Sequence, residues 1–278
     1  MDYSKLVDHD LHIHTYLSGC SDDPEQNPQR ILRYAEENGL RHICTADHYW
    51  DETVSEPWLP YIDHGNERQA RILPLPQSEN VTFHFGCETE LSKKMVLGLH
   101  PDNYDKFDFI IIPTTHLHFM PFTIATEDKS TERRAELYIS RLDGVLDMDL
   151  PFHKVGIAHL ACNLLAPGVN YPAEVDHKEH LRVLDLISDA TYREVYSKMA
   201  KRGVGFEINF PYFNYYADDE LEKVLRIHRI AKACGCKFYF GSDAHHPAGL
   251  DKAKKNFTAI AEALDLREEN IFRPFGDK

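Results

Sequence analysis

The sequence is short of positive charge, of long apolar runs and of cysteines spaced for pairing, and each shortage excludes something. Lys and Arg number 31 against 45 Asp and Glu, a formal net charge of -14. That balance argues against a nucleic-acid backbone as partner, because such binding relies on cationic side chains displacing counterions. Bound cations would offset part of the excess. No apolar stretch approaches the roughly 20 residues needed to span a bilayer, and no apolar signal segment opens the chain. These absences predict a soluble, cytoplasmic protein. The six cysteines (Cys20, Cys44, Cys87, Cys162, Cys234, Cys236) show no zinc-knuckle spacing, and Cys234-Gly235-Cys236 is too tight for an easy bridge, which argues against disulfides. Also missing are a G-x-S-x-G elbow, a phosphate-binding P-loop, internal repeats and low-complexity tracts.

What the sequence has in excess is histidine, 17 in 278 residues. Histidine is the commonest side-chain ligand of transition metals, so each position needs inspection. With 42% hydrophobic residues the chain can form one large domain, residues 1–278, and barrel folds commonly use about 250 residues as a single unit. Short apolar runs alternate with amphipathic segments, the pattern of a parallel α/β protein. Strands are predicted over 6–13, from 43 into His48, from 81 towards Glu88, and over 109–112, 155–158, 204–208 and 237–240. Helices are predicted from Asn27-Pro28 to Gly39, over 131–146, from Asp189 to Gly203 and from Asp218 to Gly235, where apolar residues recur at helical spacing. Residues 49–80, with Pro57, Pro60, Pro74 and Pro76, read as an elaborated loop, and 160–188 as a long connection able to act as a lid.

Polar residues fall at the C-terminal ends of these strands. His12 and His14 end the first, His48 the second, Glu88 the third, His116 follows the fourth, His159 the fifth, and Asp243 and His245 follow the seventh. In a parallel barrel those ends converge on one rim, where active sites sit. Residues two apart on an extended strand share a side, so His12 can join His14, and Asp243 can join His245, around one ion. A single histidine after a strand is usually structural. A set repeated at equivalent strand ends is hard to obtain from packing alone, since burying unpaired polar groups is costly. Glu207 and Asn209, on the sixth strand, are expected to orient ligands.

The pieces Asp10-Leu11-His12-Ile13-His14-Thr15, Thr45-Ala46-Asp47-His48, Gly86-Cys87-Glu88, Thr115-His116, Ala158-His159, Phe206-Glu207-Ile208-Asn209 and Gly241-Ser242-Asp243-Ala244-His245 occur in one order. In that order the sequence resembles the polymerase and histidinol phosphatase (PHP) superfamily, over residues 8 to about 270, and looks most like its stand-alone phosphatases. The resemblance implies a distorted (β/α)7 barrel, TIM-like, with two or three divalent ions, zinc, iron or manganese, at the C-terminal rim. It implies that His12, His14, Glu88 and Asp243 surround one ion, that Glu88 bridges to a second held by His116 and His159, and that His48 and His245 hold a third. The third ion's remaining ligand falls at Cys20, with Asp22 and Asp23 as alternatives nearby.

The chemistry so implied is hydrolysis of a small phosphomonoester, such as histidinol phosphate or a related metabolite. Clustered cations place positive charge on phosphoryl oxygens and lower the pKa of a bridging water, which attacks in line. Glu88, Asp243 and His245 are the candidate catalytic groups, with Asp243 and His245 nearest the leaving group and a metal-bound water as the alternative acid. Arg133, Arg134, Lys93 and Lys94 are candidates for phosphate contact or for an ordinary solvated face. Tyr16, Tyr49, Trp50 and Tyr212 could stack on a substrate ring, and His118 and His246 adjoin proposed ligands. An amidohydrolase would place a bridging lysine on a middle strand, where Glu88 and His116 stand instead. A nucleotide or oligonucleotide phosphoesterase and a non-catalytic metal-binding module are the other readings.

Overall fold

The computed structural model describes residues 2–21, 23–56, 63–167, 177–209, 216 and 218–276. Asp22, Pro57, Pro60 and Tyr212 lie outside the described residues. In chain order the elements are α1 (Tyr3–Leu6), β1 (His9–Ile13), α2 (Pro28–Asn38), β2 (His42–Tyr49), α3 (Asn66–Gln69), β3 (Thr82–Thr89), β4 (Phe109–Ile112), α4 (Thr131–Leu146), β5 (Val155–Ile157), α5 (His177–Leu186), α6 (Asp189–Arg202), β6 (Gly205–Ile208), α7 (Asp218–Ala233), β7 (Lys237–Phe240), α8 (Pro247–Leu250) and α9 (Ala253–Ala263).

All seven strands are parallel and follow sequence order in one sheet. The sheet curls into a nearly closed TIM-like barrel, and its seam is made by residues beyond β7 lying against the end of β1. There Asp243 N–H donates to the His12 carbonyl at 2.7 Å and His14 N–H to the Ala244 carbonyl at 3.1 Å. The Asp10 carboxylate reinforces the seam, accepting from Ser242 N–H at 2.9 Å and from the Tyr34 hydroxyl at 3.1 Å.

Strands covered on both faces are expected to read as continuous apolar runs. Accordingly β1, β4, β5 and β6 are buried throughout. Leu11, Cys44, Ala46, Phe109, Ile111, Ala158, Tyr239 and Phe272 fill the barrel interior as one cluster. A much larger cluster lies between strands and helices. Helix ends follow local chemistry: Asn27 caps α2 through Arg30 N–H, Ser188 caps α6 through Thr191 N–H, and Gly39 closes α2 at φ 60°, a left-handed geometry that glycine adopts freely.

Three sequence-based boundaries change. Residues 6–13 were expected as one strand, but Tyr3–Leu6 is a helical turn capped by Asp2, and the strand starts at His9. The connection 160–188 contains α5, whose apolar face buries Leu181, Val183 and Leu184. The C-terminal α9 was also not anticipated; it buries Phe257 and Ile260. In β1 the pairing with β2 shifts register between Asp10 and Ile13. Leu11 consequently belongs to the interior cluster and Ile13 to the outer one. That irregularity turns His12 and His14 towards the barrel axis.

Candidate metal centre

The strand ends bring the expected side chains together. Three groups have ligand atoms mutually within 4.8 Å: His12, His14 and Asp243; Glu88, His116 and His159; and His14, His48 and His245. Glu88 is 1% exposed and stands at the middle. Its Oε1 lies 3.3 Å from His159 Nε2, 3.7 Å from His12 Nε2 and 4.0 Å from His116 Nε2. Its Oε2 lies 2.9 Å from His48 Nδ1 and 3.5 Å from His14 Nε2. One carboxylate therefore faces five imidazoles, and its two oxygens can serve two ions.

The ring nitrogens show whether such a group fits a metal. His12 Nδ1 is 2.6 Å from Glu207 Oε1, and His116 Nδ1 is 2.6 Å from Glu90 Oε1. A carboxylate only accepts, so both Nδ1 atoms carry the proton. Ser18 donates its hydroxyl proton to Asp47 at 2.7 Å, which leaves its oxygen to accept from His14 Nδ1 at 2.8 Å and from His48 N–H at 3.2 Å. The Asp243 carbonyl accepts from His245 Nδ1 at 2.8 Å, and His159 Nδ1 is 2.9 Å from the Thr115 hydroxyl. His12, His14, His116 and His159 thus turn Nε2 lone pairs towards Glu88 or Asp243. Ligating imidazoles are held in this way, with the second nitrogen donating to an outer acceptor. The donor set fits divalent ions of the zinc, iron or manganese type.

Charge tells the same story. Burial opposes ionisation of Glu88, but the His12 and His48 imidazoles beside it hold its pKa well below the ordinary value. Asp243 is likewise depressed against its burial, chiefly by His12 and His245. Burial pushes His14 well below the usual imidazole range, with His245 adding to the effect. Burial lowers His12 too, but Glu207, Asp243 and Glu88 carry it well above. A divalent cation here would take the place of the His12 proton in compensating the ionised Glu88 and Asp243 carboxylates.

Backbone geometry supports the centre at some cost. His159 and Asp243 have φ of 31° and 53°, left-handed values that side chains other than glycine seldom adopt. Such strain, about 1–3 kcal/mol per residue, persists where the surroundings impose it. Glu207 is one of those surroundings: its Oε2 accepts from His159 N–H at 2.6 Å while Oε1 holds His12. Gly241 allows this approach, since a Cβ there would collide with Glu207 Oε1 and meet His12 Cβ at 2.7 Å.

Cys20 Sγ lies 3.2 Å from His48 Nε2. Burial opposes its ionisation, yet His48 and His245 pull the thiol down to about 6. The thiol is thus in reach of the third group, although the tightest third set uses His14 with His48 and His245. Asp23 instead pairs with His246 Nε2 at 2.9 Å. His64 Nε2 accepts from Gly19 N–H at 3.1 Å and thereby braces the Cys20 loop, a role the sequence did not signal.

The remaining candidates separate. Arg133 is an exposed helix residue paired with Asp128 and Glu136. Arg134 is fully buried, and its Nη1 donates to the carbonyls of Leu164, Leu165 and Ala166, so much of the guanidinium is committed to the rim loop after β5. Lys93 is exposed, and its backbone N–H binds the Phe122 carbonyl. Tyr49 and Trp50 are buried in packing, Tyr49 against Phe107 and Trp50 beside Phe119 and Phe122, which removes them as ring platforms; Tyr16 is 39% exposed. His118 lies against Phe119 with ring centroids 3.8 Å apart and planes tilted by 39°, and adjoins His116 at 5.1 Å. Glu90 was missed. The clue was parity, because Glu88-Thr89-Glu90 puts two carboxylates on one side at the end of β3.

Fold and site together define a seven-stranded α/β barrel with a histidine- and carboxylate-lined centre at its C-terminal rim. No family model matches the chain, and no curated protein matches it. Solved structures do. A histidinol phosphate phosphatase from Lactococcus lactis, complexed with zinc, L-histidinol and phosphate, shares 18% identity at TM-score 0.52, covering 91% of this chain and 94% of that one. A Listeria monocytogenes protein assigned as a histidinol phosphatase shares 14% identity at TM-score 0.54, covering 87% and 96%. These likenesses establish the common barrel.

Proposed function

We propose that the protein is a metal-dependent phosphatase of the polymerase and histidinol phosphatase superfamily, acting on a small phosphomonoester. The observation that carries the reading is the ring of imidazoles around Glu88, four of which, His12, His14, His116 and His159, commit Nδ1 outward and turn Nε2 inward. The Lactococcus neighbour, which holds zinc, L-histidinol and phosphate, supports the substrate class. When bound, divalent ions supply positive charge for the phosphoryl oxygens and a water deprotonated near neutral pH. His12, His14, Glu88 and Asp243 would hold the first, Glu88, His116 and His159 the second, and His48 and His245 with Cys20 the third. The chain's own groups fix these ligands: Glu207 holds His12 and the His159 backbone, Ser18 holds His14, and Thr115 holds the His159 ring.

Asp243 and His245 are the candidates for protonating a leaving group, and Asp243 is 25% exposed at its side chain, so it can be reached from outside. Of the candidates Arg133, Arg134 and Lys93, Arg134 is the one whose charge could support a phosphate, because it is a buried cation with no carboxylate within 4 Å among the described residues and its Nε has no hydrogen-bond partner. Lys93 and Arg133 would act only at long range. We read residues 1–278 as one catalytic unit. Six free cysteines fit a reducing, cytoplasmic setting, and among the described residues no helix is long and apolar enough to cross a membrane.

Elemental analysis of purified protein should find at least about two divalent ions per chain, and chelation should abolish phosphatase activity. Less than one equivalent with full activity in chelator refutes the reading. A panel of phosphorylated metabolites, nucleotides included, then identifies the alcohol half.

A further inference from the structure

Glu90 lies just beyond β3, two residues after Glu88, and is completely buried. Its Oε1 is 2.6 Å from His116 Nδ1, and its Oε2 has no hydrogen-bond partner. Among the described residues no lysine or arginine lies within 4 Å of it; His116 is its sole ion-pair partner. A buried carboxylate is costly unless positive charge compensates it. The nearest source is the His116 ring, polarised by whatever its other nitrogen binds, with the buried Arg141 guanidinium acting from beyond 4 Å.

The surrounding backbone is locked so that this pair cannot drift. Arg141 reaches from α4, buried in the core, and donates to four carbonyls: Thr114 at 2.9 Å, Leu91 at 2.8 Å, Thr123 at 2.7 Å and Ser92 at 3.3 Å. Leu91 and Ser92 immediately follow Glu90, and Thr114 precedes His116 by two residues. One guanidinium therefore ties together the two strand ends that carry the pair.

We propose that Glu90 is a positioning residue for the second ion: it fixes His116 through Nδ1 and strengthens the Glu88, His116 and His159 group without touching substrate. The inference rests on the metal-centre reading above and adds to it a residue outside the ligand set. An imidazole donating to a carboxylate is a better ligand than one donating to a hydroxyl or carbonyl. Among the imidazoles whose Nε2 faces Glu88, His12 and His116 are the two so equipped, one in each of the first two groups. His14, His159 and His245 donate to neutral oxygens.

The test titrates metal-free protein with zinc against a competing chromophoric chelator, for wild type, Glu90→Gln, His116→Ala and the double variant. Glu90→Gln should weaken one class of zinc site by about 10- to 100-fold and leave the others unchanged. In the His116→Ala background it should have no further effect on zinc affinity. Unaltered binding in Glu90→Gln, or an equal loss with and without His116, overturns the positioning role. Wild-type protein that binds no zinc overturns the metal centre and this inference with it. If Glu90→Gln does not fold, Glu90→Asp carries the comparison, since it keeps the charge but shortens the reach and should lose less affinity in the same site.

Discussion

Both ends of the barrel are rich in histidine, and they use it in opposite ways. At the C-terminal rim His12, His14, His116 and His159 each commit Nδ1 to an acceptor and leave Nε2 facing a shared carboxylate. At the N-terminal mouth the ring nitrogens bond protein groups and each other instead. His9 Nδ1 is 2.8 Å from Asp8, and its Nε2 accepts from Phe240 N–H at 3.1 Å. His42 and His84 bond each other at 3.1 Å, and His84 lies flat on Phe275 with centroids 3.4 Å apart. Asp8 takes Arg41 and Arg273 as well as His9, and Arg273 also pairs with Glu268, so the two cations meet two carboxylates. Histidine count alone does not separate a metal centre from a packed end. The fate of the second nitrogen does.

The largest expected effect comes from breaking the shared carboxylate. Glu88→Gln should lower turnover on the order of 1000-fold, since it removes the one group able to serve two ions. Its metal content should fall too. Glu207→Gln, which disturbs how His12 and His159 are held, should cost about 10- to 100-fold and keep more metal. Equal behaviour of the two variants, in metal content and in turnover, would remove the bridging role from Glu88.

Much of the rim was legible because strand ends announce themselves. Each ligand candidate from His12 to His245 could be placed from an apolar run followed by His, Asp or Glu, and Thr131–Leu146 was bounded correctly from Ala135, Tyr138, Ile139 and Leu142. Packing roles were less visible. Arg134 and Arg141 look like surface residues of an amphipathic helix, yet both are buried because their guanidinium groups satisfy carbonyls in loops remote in sequence. Tyr49 resembled a rim aromatic because it follows His48, but strand alternation turns it into the packing against Phe107. The shift in β1 that points His12 and His14 inwards depends on pairing with β2 and leaves no local mark.

A smaller effect sharpens the boundary between the two uses of side chains. Cys20, 3.2 Å from His48 Nε2, lies where the donor set changes from nitrogen and oxygen to sulfur. A thiolate ligand favours zinc over magnesium or manganese. Cys20→Ser should remove about one ion per chain and weaken substrate binding while leaving the fold intact. Thiol reagents should modify Cys20 only after chelation, because a bound metal shields the sulfur. Equal labelling with and without metal, followed by mass spectrometry, would return Cys20 to a packing role.

The smallest effect concerns a histidine on the packed side of the comparison. His228 on α7 is 2% exposed, stacks near Phe206 and Phe238, and donates from Nδ1 to the Val224 carbonyl at 3.0 Å. Burial pushes its pKa from 6.5 to about 4, against a small opposing pull from that carbonyl. Between these values the unfolded chain binds a proton that the folded chain refuses, so stability falls as pH drops through the window and is fully present above it. The linked loss is on the order of 3 kcal/mol between pH 7 and pH 4. His228→Phe removes the titrating group and should flatten that part of the profile, measured by denaturant unfolding of chelated protein so that rim ligands hold no metal in either variant. Metal content and turnover of the untreated variant should match wild type. An unchanged pH slope in His228→Phe would show that the acid sensitivity belongs to other groups, the rim imidazoles first among them.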